Sequence, residues 1–163
     1  MIHGLHHNAY RCRNSEETRK FYEDFLELPL VSAFEIQKTK TGRSTRVLHT
    51  FYRMLDDSFL AFFEAPGQPF EFKRQDDFDL HIALKVDRNT LHRFLDKGRQ
   101  KEIETRGISN HGSIDSVYFR DPNGYVIELA APSDHTSTTK DSVRSARKTL
   151  DLWTTSAANT NSR

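Results

Sequence analysis

The chain has 163 residues, with 24 Lys and Arg against 23 Asp and Glu and a formal charge of +1. At 36% hydrophobic and 29% charged residues and a mean hydropathy of −0.72, it has no apolar run of the length a membrane helix needs. It also lacks the broad positive field with which nucleic-acid binders attract phosphates. The single cysteine, Cys12, excludes an internal disulfide, and with the polar start Met1-Ile2-His3-Gly4 it predicts a reduced, cytoplasmic protein of one domain or two small fused modules.

Taken in chain order, an extended stretch around 5–12 is followed by Asn14 and Glu17, a capping-box spacing, and by Phe21, Tyr22, Phe25 and Leu26 on one helical face. This predicts a helix over 15–26, ended by Pro29. Strand-like runs follow at 30–36, 46–53 and 59–65, separated by turns at Thr41-Gly42 and Asp56-Asp57. The order is β-α-β-β-β. Residues 67–79, rich in charge and opening on Gly67 and Pro69, read as a connector.

The same order then recurs. A strand at 80–86 leads to a helix capped at Asp87 and carrying Leu91, Phe94 and Leu95, with Gly98 obscuring its end. Strands at 103–108, 114–119 and 125–131 complete the copy, the last two joined by the Asp121-Pro122-Asn123-Gly124 turn. The expected fold is α+β, with modules at 1–66 and 80–132 pairing curved mixed sheets around a common cavity. From Ser133 to Arg163 the composition turns polar, predicting a largely mobile tail. Within it Val143, Ala146, Leu150 and Trp153 fall at helical spacing, predicting a short helix that docks through Leu150 and Trp153.

Laying the halves over each other matches His7-Asn8-Ala9-Tyr10-Arg11 to His81-Ile82-Ala83-Leu84-Lys85, and Phe62-Phe63-Glu64-Ala65-Pro66 to Val126-Ile127-Glu128-Leu129-Ala130. Glu64 and Glu128 each interrupt an apolar strand, where a carboxylate is rarely left unless it is paired or binds a cation. Two imidazoles and two carboxylates at repeated positions suit one divalent ion, Zn²⁺, Ni²⁺, Mn²⁺ or Fe²⁺, held by His7, Glu64, His81 and Glu128. His6 competes with His7, and the match to His81 selects His7. Period-2 alternation then places Arg11 beside His7 and Lys85 beside His81, either to hold an anionic substrate or as ordinary solvated charges. His111, in the Asn110-His111-Gly112 loop, is a further candidate for substrate contact at the mouth.

The arrangement resembles the vicinal oxygen chelate superfamily, which includes glyoxalase I, extradiol dioxygenases and the bleomycin- and fosfomycin-resistance proteins. The segments that carry the resemblance are 5–13 with Phe21-Tyr22, then 80–86, and above all Tyr118-Phe119-Arg120-Asp121-Pro122-Asn123-Gly124-Tyr125-Val126-Ile127-Glu128-Leu129. The resemblance implies metal ligands at His7, Glu64, His81 and Glu128. It also implies bidentate chelation of two adjacent substrate oxygens, with Glu128 or Glu64 acting as the base in an enediolate mechanism. A four-ligand set favours a lyase or isomerase of the glyoxalase I type, with a small-molecule substrate. The alternatives are an iron-dependent extradiol-type dioxygenase, whose catalytic tyrosine falls at Tyr118, and a metal-free drug-binding protein. A homodimer is expected, since in this superfamily modules pair within one chain or between two.

Overall fold

The computed structural model describes residues 1–74, 76–134 and 142–160. β1 (His7–Cys12) leads to Asn14, whose side chain accepts the Glu17 N–H at 2.9 Å and so caps α1 (Ser15–Arg19). The helix runs on as a π-helical turn over Lys20–Phe25, and together the two cover the expected helix. β2 (Leu30–Lys38), β3 (Ser44–Arg53) and β4 (Phe59–Glu64) complete a four-stranded sheet in the order β1-β4-β3-β2. β1 and β4 are parallel and the other pairs antiparallel.

The second half repeats this topology. β5 (His81–Lys85), α2 (Arg88–Gln100), β6 (Thr105–Asn110), β7 (Ile114–Arg120) and β8 (Val126–Pro132) build a sheet in the order β5-β8-β7-β6, again with only the first pair parallel. Neither sheet closes into a barrel. Asp87 caps α2, accepting from the Thr90 N–H at 2.7 Å. Gly98 lies inside α2 rather than ending it. A Cβ there would come within 2.6 Å of Phe119 Cε1, so the missing side chain lets the helix settle on its sheet.

Each sheet buries one face under its helix. On the first, the Tyr22 ring lies 4.6 Å from that of Phe62 and 5.5 Å from that of Tyr52. On the second, α2 presents the buried Leu91, Phe94 and Leu95. The two helix-covered sides then join in one core, where Phe25 packs edge-on to Phe94 and Phe119 at 5.8 and 5.2 Å.

The 121–125 turn locks this junction. The Tyr22 hydroxyl donates to buried Asp121 at 3.0 Å, the Arg13 N–H donates to Asn123 Oδ1 at 2.8 Å, and the Tyr125 hydroxyl donates to the Arg11 carbonyl at 3.0 Å. Burial pushes the Asp121 carboxyl up, while donors from Asn123, Tyr125 and Tyr22 pull against that shift. Gly124 adopts φ +95, and a Cβ on it would strike the Lys73 carbonyl oxygen, so the turn requires glycine.

Two expectations about the tail meet different outcomes. A helix is present as α3 (Ser142–Thr160), yet Leu150 and Trp153 are 56% and 70% exposed and do not dock on the body. Helical spacing sets which residues share a face, but it does not supply a surface to receive them. The expected mobility of 135–141 and 161–163 lies outside the described residues. Among those described, no helix is long and apolar enough to cross a membrane.

Candidate functional site

Residues paired across a ladder share a face of the sheet, so register decides which side chains can meet. In the second sheet His81 pairs with Val126, Ala83 with Glu128, and Glu128 with Tyr118, while Arg106 pairs with Tyr118. Alternation turns Ile82, Leu84, Val117, Phe119, Ile127 and Leu129 toward α2. It leaves His81, Arg106, Ser116, Tyr118 and Glu128 on the other face.

There His81 Nε2 lies 3.1 Å from Glu128 Oε2, and the Glu128 side chain is only 5% exposed. The Ser116 hydroxyl donates to the other carboxylate oxygen at 2.5 Å. His81 Nδ1 sits 2.7 Å from the Asp77 carbonyl oxygen, an atom that only accepts, so a hydrogen on Nδ1 satisfies that contact. In the neutral ring this turns the Nε2 lone pair onto a carboxylate oxygen. Two acceptors at that distance repel unless a proton or a cation stands with them. Adjacent ligands bound at about 2.1 Å to one ion are themselves about 3.0–3.4 Å apart, so the pair has the bite of a metal chelate. The donor chemistry fits a divalent ion, which His81 and Glu128 could hold from this half.

Tyr118 and His111 adjoin the pair. The Tyr118 hydroxyl lies 2.9 Å from His111 Nε2, and burial followed by the Glu128 charge pushes the phenol up from its ordinary value, so it keeps its proton at neutral pH. The Arg106 guanidinium stands over the Tyr118 ring at 5.1 Å and reaches Asp77 Oδ1 at 2.7 Å. Ser116, Arg106 and Asp77 were not among the residues singled out in the sequence. Ser116 was accessible by counting two residues back from Tyr118 on the same strand face. The Arg106–Asp77 contact joins a strand to the connector, and no periodicity announces it.

The first sheet differs. His7 pairs with Phe59, Ala9 with Ala61, and Cys12 with Glu64. His7 and Arg11 therefore share the face away from α1 with Phe59, Ala61 and Phe63, whereas Glu64 lies on the helix-covered face with Tyr10 and Phe62. Glu64 accepts the Ser15 N–H at 2.6 Å and serves the start of α1. The expected match of Glu64 to Glu128 is thus displaced by three residues, which reverses the face. The position corresponding to Glu128 is Ala61, opposite Ala9 as Glu128 is opposite Ala83. Glu64 and His7 cannot share an ion within one sheet.

His7 is exposed, with its ring 5.6 Å from that of Phe51 and Nδ1 2.7 Å from His6 Nδ1. It does not join His81 and Glu128 within one chain: among the described residues no group of three or more His, Cys, Asp or Glu is placed to hold a metal ion. The Arg11 guanidinium donates to Gln68 Oε1 at 2.9 Å. Lys85 lies four residues along β5 from His81, about 13 Å away. It borders an inter-module groove of about 460 Å³ lined by Leu28, Met54, Leu84 and Val86.

Comparison with known proteins places the chain. Residues 4–129 match the model of the Glyoxalase/Bleomycin resistance protein/Dioxygenase superfamily. A curated relative, "Metallothiol transferase FosB" of Shouchella clausii (strain KSM-K16), is 26% identical, the alignment covering 91% of this chain and 90% of that protein. Among solved structures, the fosfomycin resistance protein FosX from Mesorhizobium loti superposes with TM-score 0.58 at 22% identity, covering 88% of this chain and 99% of that one. A Glu-to-Gln mutant of FosX from Listeria monocytogenes, complexed with Mn(II) and 1S,2S-dihydroxypropylphosphonic acid, gives 0.59 at 17%, covering 82% and 96%. With its family model spanning both modules, the chain belongs to the Glyoxalase/Bleomycin resistance protein/Dioxygenase superfamily.

Proposed function

We propose that this chain is a divalent-metal-dependent enzyme of the fosfomycin-modifying kind, adding a thiol or water to a small epoxide-bearing phosphonate at a site shared between two copies. His81 and Glu128 of one copy and His7 of the other would supply the ligands. The observation that carries this reading is the His81–Glu128 pair, with the spacing of a chelate, which no third ligand joins among the described residues. The thiol is suggested by the name of the FosB relative, a metallothiol transferase, and the phosphonate by the FosX fosfomycin resistance protein with its bound dihydroxypropylphosphonic acid.

A divalent ion held by His81, Glu128 and the second copy's His7 would supply Lewis acidity toward a substrate oxygen that gains negative charge. The chain's own residues do the rest. Ser116 holds Glu128 in place, and the Asp77 carbonyl keeps the His81 Nε2 lone pair free for binding. The Tyr118 hydroxyl, held in its protonated form, offers a hydrogen bond to a substrate oxygen beside Glu128. The four-ligand glyoxalase I reading loses its main support, because Ala61 stands where the fourth ligand would be.

The same three ligands favour a second reading. Two His and one carboxylate form the facial triad of non-haem Fe²⁺ oxygenases, and Tyr118 falls where a ring-cleaving dioxygenase has its catalytic tyrosine. Oxygen uptake with a catechol panel under Fe²⁺ would select it.

Mixing two inactive variants tests the shared site. His7→Ala and Glu128→Ala homodimers should each fail to turn over fosfomycin with a thiol or water under Mn²⁺. Refolded together, they should regain activity, since the mixed dimer keeps one intact set of His7, His81 and Glu128. No recovery on mixing, together with a monomer in gel filtration, would overturn the shared site.

A further inference from the structure

At Asp77 the connector between the modules reaches the proposed site twice. The Asp77 carbonyl oxygen accepts from His81 Nδ1 at 2.7 Å, while its carboxylate receives the Arg106 guanidinium at 2.7 Å. The Asp77 carboxyl is held below its ordinary value, first by that hydrogen bond from Arg106. Arg106 is fixed in turn, because its guanidinium lies over the Tyr118 ring at 5.1 Å. Tyr118 is directly opposite Glu128 in the β7–β8 ladder. The ligand pair and the side chains around it are thus closed into a ring: His81 to Asp77, Asp77 to Arg106, Arg106 to Tyr118, Tyr118 beside Glu128, and Glu128 back to His81.

We propose that the Asp77–Arg106 ion pair is a clasp that positions His81 for metal binding. Asp77 sits in a short turn at the end of the connector, and the Asp79 and Leu80 N–H groups both bond to the Asp76 carbonyl there. A turn held only by such local bonds would leave the Asp77 carbonyl free to swing. Its carboxylate, tied across to β6, fixes the peptide that dictates the His81 tautomer. Asp77 and Arg106 are positioning residues in this assignment: neither is a ligand, and both act through the His81 ring. A residue that orients a metal-bound histidine typically alters affinity by about 10–100-fold when it is removed.

The inference deepens the metal-site reading and rests on it in part, so its test has one arm that needs no metal. In metal-free protein, at a pH where the imidazole is neutral, ¹⁵N NMR should show His81 carrying its hydrogen on Nδ1. Asp77→Ala and Arg106→Gln should each shift the ring toward the Nε2–H tautomer preferred by free histidine. In the second arm, Mn²⁺ titration should show each variant weakened by about tenfold, and the double variant weakened no further than either single one. Circular dichroism confirms folding, and Arg106→Gln leaves the connector's own sequence intact should Asp77→Ala fail to fold. An unchanged tautomer in folded variants overturns the clasp, as do additive losses in the double variant. Wild-type protein that binds no Mn²⁺, Zn²⁺ or Fe²⁺ would overturn the metal reading instead, while the tautomer shift would still uphold the clasp.

Discussion

The two sheets share strand order and pairing but present opposite chemistry on the faces that their helices leave uncovered. The second offers His81, Glu128, Ser116, Tyr118 and Arg106, joined to one another by contacts already in place. The first offers an aromatic floor. His49 stacks on Phe63 with ring centroids 3.7 Å apart, the Phe34 and Phe51 rings lie beside it at 5.4 and 4.3 Å, and His7 stands at the rim. A repeated backbone therefore need not carry repeated chemistry. Topology is fixed by the apolar face under each helix, and the opposite face is free to diverge, as Ala61 and Glu128 at equivalent ladder positions show.

The largest test of that contrast compares the two carboxylates. Removing Glu128 with Glu128→Ala should lower Mn²⁺ affinity by at least about a hundredfold, since it deletes a proposed ligand outright. Glu64→Gln should leave it within about twofold, with only the charge-assisted bond to the Ser15 N–H weakened, at a cost of about 0.5–1 kcal/mol in stability. Calorimetric metal titration of both variants decides the matter, and equal losses would restore Glu64 to the ligand set.

Next in size is the junction. Asp121→Ala leaves the buried Tyr22 hydroxyl and the Tyr125 N–H without their acceptor. It should cost about 2–4 kcal/mol in denaturant unfolding, with both halves losing structure together.

The smallest effect is a pH dependence at the same junction. Glu27 accepts from Arg93 and Lys97, which hold its carboxyl down to about 2 against an ordinary value of 4.5. Because the folded-state value is the lower one, the stabilisation is fully present above about 4.5 and is lost as pH falls toward 2. The carboxylate is about half exposed, so solvent screening holds the effect under about 1 kcal/mol. The gap in urea midpoint between wild type and Glu27→Gln should close across that window.

Much of this fold was legible in the sequence because its signals are local. Asn14 and Asp87 announce helix starts, Asn123-Gly124 marks a hairpin, and the spacing of Phe21, Tyr22 and Phe25 marks a buried helical stripe. In β4 the signal fails. Leu60, Ala61, Phe62 and Phe63 are apolar on both faces, so alternation gives no register, and Glu64 was matched to Glu128 by residue type alone. The β1–β4 ladder supplies the register that the sequence could not. Asp77 and Arg106 were invisible for another reason: their meeting depends on where a connector crosses a sheet, and neither residue type nor spacing encodes that.

The projecting C-terminal helix has a practical consequence. Trp153 is the chain's sole tryptophan and lies 70% exposed there. Its emission reports on water around the helix and is insensitive to melting of the modules. Optical probes of the body must instead rely on tyrosines such as Tyr22 and Tyr52, which are fully buried beneath the first helix.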